Sequence, residues 1–201
     1  MANRDDTAAS RERFLRLSLA GAGTLTVGAV LAAGVPRLGL SGTAQARDVE
    51  VLNYALLLEE LQSAFYRRAI ASGALSGELR EFAEVVSGHE HEHVELLRAA
   101  LGANARPVPR FAFGKAVTNP ERFAETALEL EDLGVAAYNG QAANLSKPAL
   151  QAAARIVSVD ARHAAWIRAI RNRPPASQAI DPPRTRRQVL RQVDETGFVR
   201  S

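Results

Sequence analysis

Three of the chain's four histidines fall within residues 87–97, in the run Ser-Gly-His-Glu-His-Glu-His-Val-Glu-Leu-Leu. Within this run Glu90 precedes His93 by three positions, and the fourth histidine, His163, follows Asp160 at the same interval. Residues three apart lie about 60° apart around a helix axis, so an acid and an imidazole at this spacing can bind one ion together. Two such pairs predict a metal site shared by two helices.

Two more carboxylates complete the pattern, because the inner face of the first predicted helix carries Glu59 and that of the third carries Glu131. The order along the chain is one carboxylate followed by acid-x-x-His, and this order occurs twice. The interval from Glu59 to Glu90 is 31 residues and that from Glu131 to Asp160 is 29, so the two halves of the chain repeat one design. Such a set is typical of dinuclear carboxylate sites in four-helix bundles.

The pattern predicts a site for two divalent metal ions. Four carboxylates offset most of the charge of two such ions, which otherwise could not lie in an apolar core. The chain has no cysteine, which excludes disulfides, thiolate catalysis and cysteine-based zinc sites. Carboxylates and imidazoles suit iron, manganese or zinc better than copper(I), and we expect iron, with manganese as the alternative. The predicted ligands are Glu59, Glu90, His93, Glu131, Asp160 and His163.

Helical periodicity and capping signals predict an all-α fold. With 47% hydrophobic but only 5% aromatic residues, alanine and leucine must supply most of the packing, which favours closely spaced helices. The expected helices run from the cap Asp48 to Gly73, from Ser76 to Leu101, from Asn119 to Leu145 and from Ser146 to Pro174. The prediction is an up-down four-helix bundle at 47–173 with a long crossover at 103–119, and its repeated acid-x-x-His pattern resembles that of ferritin-like bundles. An arginine-rich tail at 174–201 contains a short helix that we expect to pack across the bundle.

Side chains near the acid pairs divide between the two faces of their helices. His91 and Glu92 turn away from the predicted site and should lie in water, and Glu60 lies on a different side of its helix from the inward acid. His89 lies one turn before His93, where it either supports a ligand or marks the end of the bundle. Three aromatic residues face inward for core packing, although the two tyrosines could also hydrogen-bond a ligand: Tyr66, Tyr138 and Trp166.

The segment 1–46 has the three parts of an export signal. A basic stretch at 10–16 precedes nineteen uncharged residues at 17–35, and Ala-Gln-Ala at 44–46 supplies a signal-peptidase site. The basic stretch resembles a twin-arginine leader with Glu12 in place of the second arginine, so the export route stays open. An uncleaved anchor is the alternative, but four glycines and the cleavage site favour removal. We therefore expect a periplasmic or otherwise extracytoplasmic protein with no stable membrane insertion.

Charge argues against nucleic acid as a partner. The segment 1–46 carries five arginines against three acids, so the remaining 155 residues hold 20 basic and 19 acidic groups, a net charge of +1. Four arginines near the end nevertheless leave a DNA-binding relative as an alternative: Arg184, Arg186, Arg187 and Arg191. Export and the near-neutral charge disfavour that alternative. A homo-oligomer stays open.

Four segments resemble the helix signatures of one family, the exported bacterial ferritin-like domain proteins that include desiccation-associated proteins. The segments are 52–66, 90–98, 130–138 and 160–165. The resemblance covers residues 48–173 and implies the ligand set given above, with Asp160 where the family more usually has Glu. Because Asp is one methylene shorter, we expect its carboxylate to reach one metal or to bind through water. Gln62 replaces a second acid of the first signature, which weakens any auxiliary ion site.

The resemblance and the ligand set together predict an exported dinuclear protein in stress protection, with oxidase, ferroxidase or peroxide-removing chemistry on oxygen or peroxide. A manganese catalase-like enzyme is the first alternative, because it uses a similar ligand set in a similar bundle. A metal-free bundle that protects the cell structurally during drying is the second, and the departures at Asp160 and Gln62 favour it. No residue beyond the ligands marks a substrate pocket, so no catalytic residue is predicted.

Overall fold

The computed structural model describes residues 43–200, so the predicted leader lies outside the described residues apart from its last four. The described part of the chain contains five α-helices and one pair of short strands. They are α1 Thr43–Ser72, α2 Gly77–Leu101, β1 Arg110–Phe111, α3 Pro120–Gln141, α4 Lys147–Ile170, α5 Arg186–Thr196 and β2 Val199–Arg200. Helices α1 to α4 form the bundle, in which α1 packs on α2 and α3 on α4 as two hairpins. The predicted all-α helical bundle is confirmed.

The connection between α2 and α3 runs along α1 from one end of the bundle to the other. Near its start, Asn53 of α1 donates to the carbonyl of Asn104 at 2.9 Å and accepts from the backbone of Arg106 at 2.8 Å. About halfway along the connection, Arg68 of α1 donates to the carbonyl of Phe111. Because Asn53 and Arg68 lie four turns apart on α1, the connection is the expected crossover.

Three helix boundaries differ from the prediction, one of them the end of α3, which stops at Gln141 and is followed by a short 3-10 turn at Ala142–Asn144. Asp48 does not cap α1, which begins five residues earlier. Its buried carboxylate instead accepts hydrogen bonds from the backbone N and the Oγ of Ser146, at 2.9 and 2.5 Å, and so holds the start of α4. At the other end, α4 stops at Ile170 and not at the prolines, because Asn172 adopts a positive φ of 56° that a right-handed helix cannot continue through.

The hydrophobic core is divided into two clusters. The larger one contains the rings of Phe65, Phe82 and Phe123, and the smaller one contains Leu52, Leu97 and Ile156. Along α2 the order is Val86 in the larger cluster, then Glu90 and His93, then Leu97 in the smaller one, and the other three bundle helices follow the same plan. The acidic residues therefore lie in a polar layer between two apolar clusters.

Helix α1 is buried on more sides than the prediction allowed. Glu60, which was placed away from the inward face, is buried because Arg98 of α2 binds its Oε1 through Nε at 2.9 Å and Nη2 at 2.5 Å. The crossover covers a further side of the helix. Within residues 43–200 no helix is both long enough and apolar enough to span a membrane.

The C-terminal segment packs on the bundle, as expected. Val189 and Val193 of α5 are buried in the larger cluster. Strand β2 pairs antiparallel with β1 of the crossover, and the ring of Phe198 packs edge-on against Phe113 at 5.1 Å. These contacts join the end of the chain to the connection between the two hairpins.

Candidate metal centre

Each bundle helix contributes the acid that its periodicity predicted, and the side chains meet in the polar layer. All six predicted site residues are buried. They form two groups, within each of which one ligand atom per residue lies within 4.8 Å of the others. The Glu59 group consists of Glu59, Glu90, His93 and Asp160, and the Glu131 group consists of Glu90, Glu131, Asp160 and His163. Glu90 and Asp160 belong to both groups.

Glu90 lies between the two imidazoles. Its Oε2 is 3.4 Å from Nδ1 of His93, and its Oε1 is 3.1 Å from Nδ1 of His163. The terminal carboxylates complete the pairs, since Oε2 of Glu59 is 3.3 Å from Nδ1 of His93 and Oε2 of Glu131 is 3.2 Å from Nδ1 of His163. Glu90 thus presents one oxygen to each group, an arrangement that suits a bridging carboxylate.

Asp160 also serves both groups, although its side chain is one methylene shorter than Glu. Its Oδ1 is 3.5 Å from Nδ1 of His93, and it lies in the Glu131 group as well. An oxygen of the shorter side chain thus lies near the candidate ligand atoms of both groups, and the expectation that it reaches one metal or binds through water stays a prediction.

The buried acids influence one another's protonation. Burial, together with the charges of Glu59 and Glu131, raises the pKa of Glu90 to about 7. Burial and the charges of Glu59 and Glu90 raise the pKa of Asp160 well above its ordinary value. For Glu59, burial acts in the same direction, but the attraction of His93 and the hydrogen bond from Tyr138 help to outweigh it, so the pKa of Glu59 is lowered. The metal-free centre therefore favours retaining protons on its two shared carboxylates.

The two imidazoles are held in their charged form. Burial by itself lowers the pKa of each imidazole. The neighbouring carboxylates outweigh this effect and raise the pKa of His93 to about 11 and that of His163 to about 9. In the absence of a metal these imidazolium ions neutralise part of the acidic charge. A metal ion must displace their protons, so its binding releases protons and strengthens as the pH rises.

Several buried oxygens in the centre have no hydrogen-bond partner among residues 43–200. They are Oε2 of Glu59, Oε1 of Glu90, and both Oδ1 and Oδ2 of Asp160. Oε1 of Glu90 approaches His163 without a directed hydrogen bond. Buried carboxylate oxygens without donors are costly, and a divalent cation would satisfy them. The residues present therefore fit a metal centre, with an oxygen and imidazole donor set that suits iron, manganese or zinc.

Two tyrosines hold the terminal carboxylates from the opposite hairpin. Tyr138 of α3 donates its hydroxyl to Oε1 of Glu59 at 2.6 Å, and Tyr66 of α1 donates to Oε1 of Glu131 at 2.5 Å. Burial and the nearby acids raise both tyrosine pKa values well above the ordinary value, so the hydroxyls remain donors. Core packing was the favoured prediction for these residues. The seven-residue interval from each acid to its tyrosine, which recurs in α1 and α3, is the signal for a paired role.

The two remaining histidines have different surroundings. His91 is exposed, as predicted, and so is its neighbour Glu92. His89 is also exposed over much of its surface, but its Nδ1 lies 2.9 Å from Nε2 of His163, and the two rings are nearly parallel at 10°. His89 therefore contacts a predicted ligand, which agrees with the first of its two predicted roles, support of a ligand.

Fold and site together define a class: a four-helix bundle whose buried carboxylates and imidazoles could hold metal ions. A family model for the ferritin-like domain matches residues 47–173, most of the chain. The chain belongs to this ferritin-like family, whose fold is typical of dinuclear metal proteins. A search of curated proteins finds no match.

Proposed function

We propose that this protein binds two divalent metal ions, iron in the first instance, in the polar layer of its bundle. The observation that carries this proposal is that four buried carboxylate oxygens make no directed hydrogen bond. All four belong to residues of the Glu59 group or the Glu131 group. Once the protons of the shared carboxylates and of the two imidazoles have been released, four carboxylates balance the charge of two divalent ions. The ligands are the six residues of the Glu59 group and the Glu131 group.

Each ligand has a distinct role in this proposal. Glu59 with His93 holds one ion, and Glu131 with His163 holds the other, while Glu90 and Asp160 are shared. When bound, a pair of redox-active ions supplies two one-electron steps to oxygen or peroxide, which is the basis of oxidase, ferroxidase or peroxide-removing chemistry. The apolar clusters on both sides exclude water from the layer and strengthen its electrostatic interactions.

The tyrosine hydroxyls have a supporting role. By donating to one oxygen of Glu59 and one oxygen of Glu131, they direct the second oxygen of each carboxylate toward the imidazole of its own group. Because both hydroxyls come from the opposite hairpin, the terminal ligands are held in place only when α1 and α3 are packed together. The centre is thus coupled to the assembly of the bundle.

We further propose that the protein acts outside the cytoplasmic membrane, in protection against oxidative or drying stress. The basic stretch, the uncharged segment and the Ala-Gln-Ala site of residues 1–46 support export. A twin-arginine route would suit a protein that is exported already folded around its metal. Detection of the processed chain in the periplasmic fraction, beginning near Arg47, tests this part of the proposal.

Elemental analysis with an optical spectrum, on protein isolated from its native compartment, tests the metal centre. We expect two metal ions per chain, with near-ultraviolet absorption if both are iron. Two manganese ions together with oxygen release from peroxide would favour the catalase-like alternative, because the same donor set accepts manganese. Less than one ion per chain, with a melting temperature unchanged by chelation, would favour the metal-free structural alternative.

A further inference from the structure

The two hairpins of the bundle are related residue by residue. Positions on α1 and α3 correspond at an interval of 72, which relates Glu59 to Glu131 and Tyr66 to Tyr138. Positions on α2 and α4 correspond at an interval of 70, which relates the shared carboxylates to each other and His93 to His163. Each ligand and each tyrosine has an equivalent residue in the other hairpin. A polar residue near the centre that lacks such an equivalent therefore makes the two halves of the centre different.

Two residues at the centre break the relation. Gln62 corresponds to Gly134, and His89 corresponds to Val159. The side chain of Gln62 lies against Gly134, where a Cβ atom would be 3.5 Å from its Oε1. Its Nε2 donates to Oε1 of Glu131 at 3.1 Å. Both residues without an equivalent in the other hairpin therefore contact the Glu131 group, Gln62 through its carboxylate and His89 through its imidazole.

The Glu59 group lacks this support. Oε1 of Glu59 accepts from one side chain, Tyr138, whereas Oε1 of Glu131 accepts from both Tyr66 and Gln62. Every polar side-chain contact of His93 within residues 43–200 is made through Nδ1, the nitrogen that faces the acids. One imidazole is thus oriented through its second nitrogen and the other is not.

We propose that the two metal positions are unequal and that the Glu131 group takes the first ion, with His89 and Gln62 as positioning residues. A hydrogen bond to the second nitrogen of a ligand imidazole fixes its tautomer and its ring orientation. A ligand held in its bound geometry before the ion arrives loses less freedom on binding. This inference rests on the proposed function, because it concerns the order in which the same two positions fill.

A titration of the metal-free, full-length protein with Mn²⁺, followed by calorimetry and electron paramagnetic resonance, tests the order. We expect two binding steps that differ in affinity by at least about tenfold. The first equivalent should give the signal of an isolated ion, and the second should convert it to that of a coupled pair. Two ions that bind with equal affinity would overturn the inference and leave the proposed function standing, whereas no binding would overturn both.

Replacement of the positioning residues tests their role. His89→Val, which installs the residue of the related position, should weaken the first step by roughly tenfold and leave the second step and the total of two ions unchanged. Gln62→Ala should act in the same direction. His91→Val is the matched control, because His91 is an exposed neighbour on the same helix, and it should change neither step. A fall in the total below two ions in His89→Val would show that His89 is a ligand and would overturn its positioning role.

Removal of one ligand imidazole at a time assigns the first step to a group. His93→Ala should retain the tight step, because this substitution removes no residue of the Glu131 group. His163→Ala should lose the tight step and retain only weak binding. The opposite result, with tight binding surviving in His163→Ala but not in His93→Ala, would overturn the proposed order of filling.

Discussion

The larger apolar cluster and the polar layer beside it are both fully buried, yet they affect the free energy of folding in opposite directions. In the cluster, Phe65 stacks on Phe123 at 5.2 Å and meets the edges of Tyr66 and Phe113 at 5.2 and 5.5 Å. Such burial stabilises the fold in proportion to the apolar area removed from water. In the layer, four carboxylate oxygens lose their hydration without gaining a directed hydrogen bond, and the nearby imidazoles offset only part of this cost.

This difference in stability separates the role of the apolar clusters from that of the polar layer. The bundle gains stability from apolar packing at both ends, through phenylalanine, leucine and alanine in the larger cluster and through leucine, alanine and isoleucine in the smaller one. A buried charge cluster contributes little or nothing to net stability unless it is compensated. The proposed metal centre accounts for these acids where packing does not.

The largest expected effect comes from the apolar side of the comparison. Phe65→Ala should lower the free energy of unfolding by about 3–5 kcal/mol, because it leaves a cavity among three packed rings. Urea unfolding followed by circular dichroism measures the loss. Val108→Ala, at a half-exposed position of the crossover, is the control and should change the stability by less than about 0.5 kcal/mol. A similar loss in both variants would contradict the division into a stabilising cluster and a surface that contributes little to stability.

The next effect comes from the polar side. Saturating the centre with Fe²⁺ or Mn²⁺ should stabilise the folded state by about 2.7 kcal/mol for each ion present at a hundredfold excess over its Kd. Thermal unfolding with and without a chelator measures this gain. The gain should be larger at pH 8 than at pH 6, because each ion must displace protons from His93 and His163. A melting temperature that does not change with metal at either pH would contradict the proposal that the polar layer binds metal ions.

The sequence predicted these two regions because both follow from helical periodicity. Once a helix is assigned, the face that carries Glu59 or Glu131 is set by the apolar residues around it, and the acid-x-x-His spacing sets the rest. Contacts that depend on how neighbouring elements dock were not predictable in this way. Asp48 has the residue type of a helix cap, but its partner, Ser146, is 98 residues away. The contact between His89 and His163 likewise depends on the spacing of α2 and α4.

The C-terminal segment shows the same limit. Its short helix is marked by a capping box, in which the side chain of Thr185 accepts from the backbone of Gln188 and the side chain of Gln188 accepts from the backbone of Thr185. Nothing in the sequence indicated where this segment docks. In the fold, the backbone N of Arg184 donates to the carbonyl of Ala136 at 2.9 Å, directly over Gly140 of α3.

That docking point gives a prediction of intermediate size. In Gly140→Ala the new Cβ would lie 1.8 Å from the carbonyl oxygen of Arg184, so backbone must move and the tail must shift. We expect a loss of about 1–3 kcal/mol and faster proteolysis between α4 and α5. Gly88→Ala is the matched control, because it also lies within a helix but nothing is within 4 Å of its Cβ. It should be neutral or stabilising by up to about 1 kcal/mol. Equal losses in both variants would show that the tail does not need this contact.

The smallest effect tests the polar layer without metal. Because the folded protein raises the pKa of Glu90 from 4.5 to about 7, the folded state binds more protons than the unfolded state between these values. The contribution of Glu90 to stability is therefore fully present below pH 4.5 and is lost as the pH rises through 7. Glu90→Gln mimics the protonated form at every pH. In the metal-free protein it should be neutral near pH 4.5 and stabilising by about 1 kcal/mol at pH 8.

The same variant should lose the shared carboxylate and with it the binding of two ions, so one substitution would raise metal-free stability and abolish the proposed function. Unfolding curves from pH 4.5 to 8, together with the Mn²⁺ titration, measure both effects. Glu92→Gln, at the exposed position two residues later, should alter neither. If Glu90→Gln instead destabilised the metal-free protein at pH 8, the attraction of Glu90 to His93 and His163 would outweigh its repulsion by Glu59 and Glu131. The polar layer would then stabilise the fold in the way that the apolar clusters do.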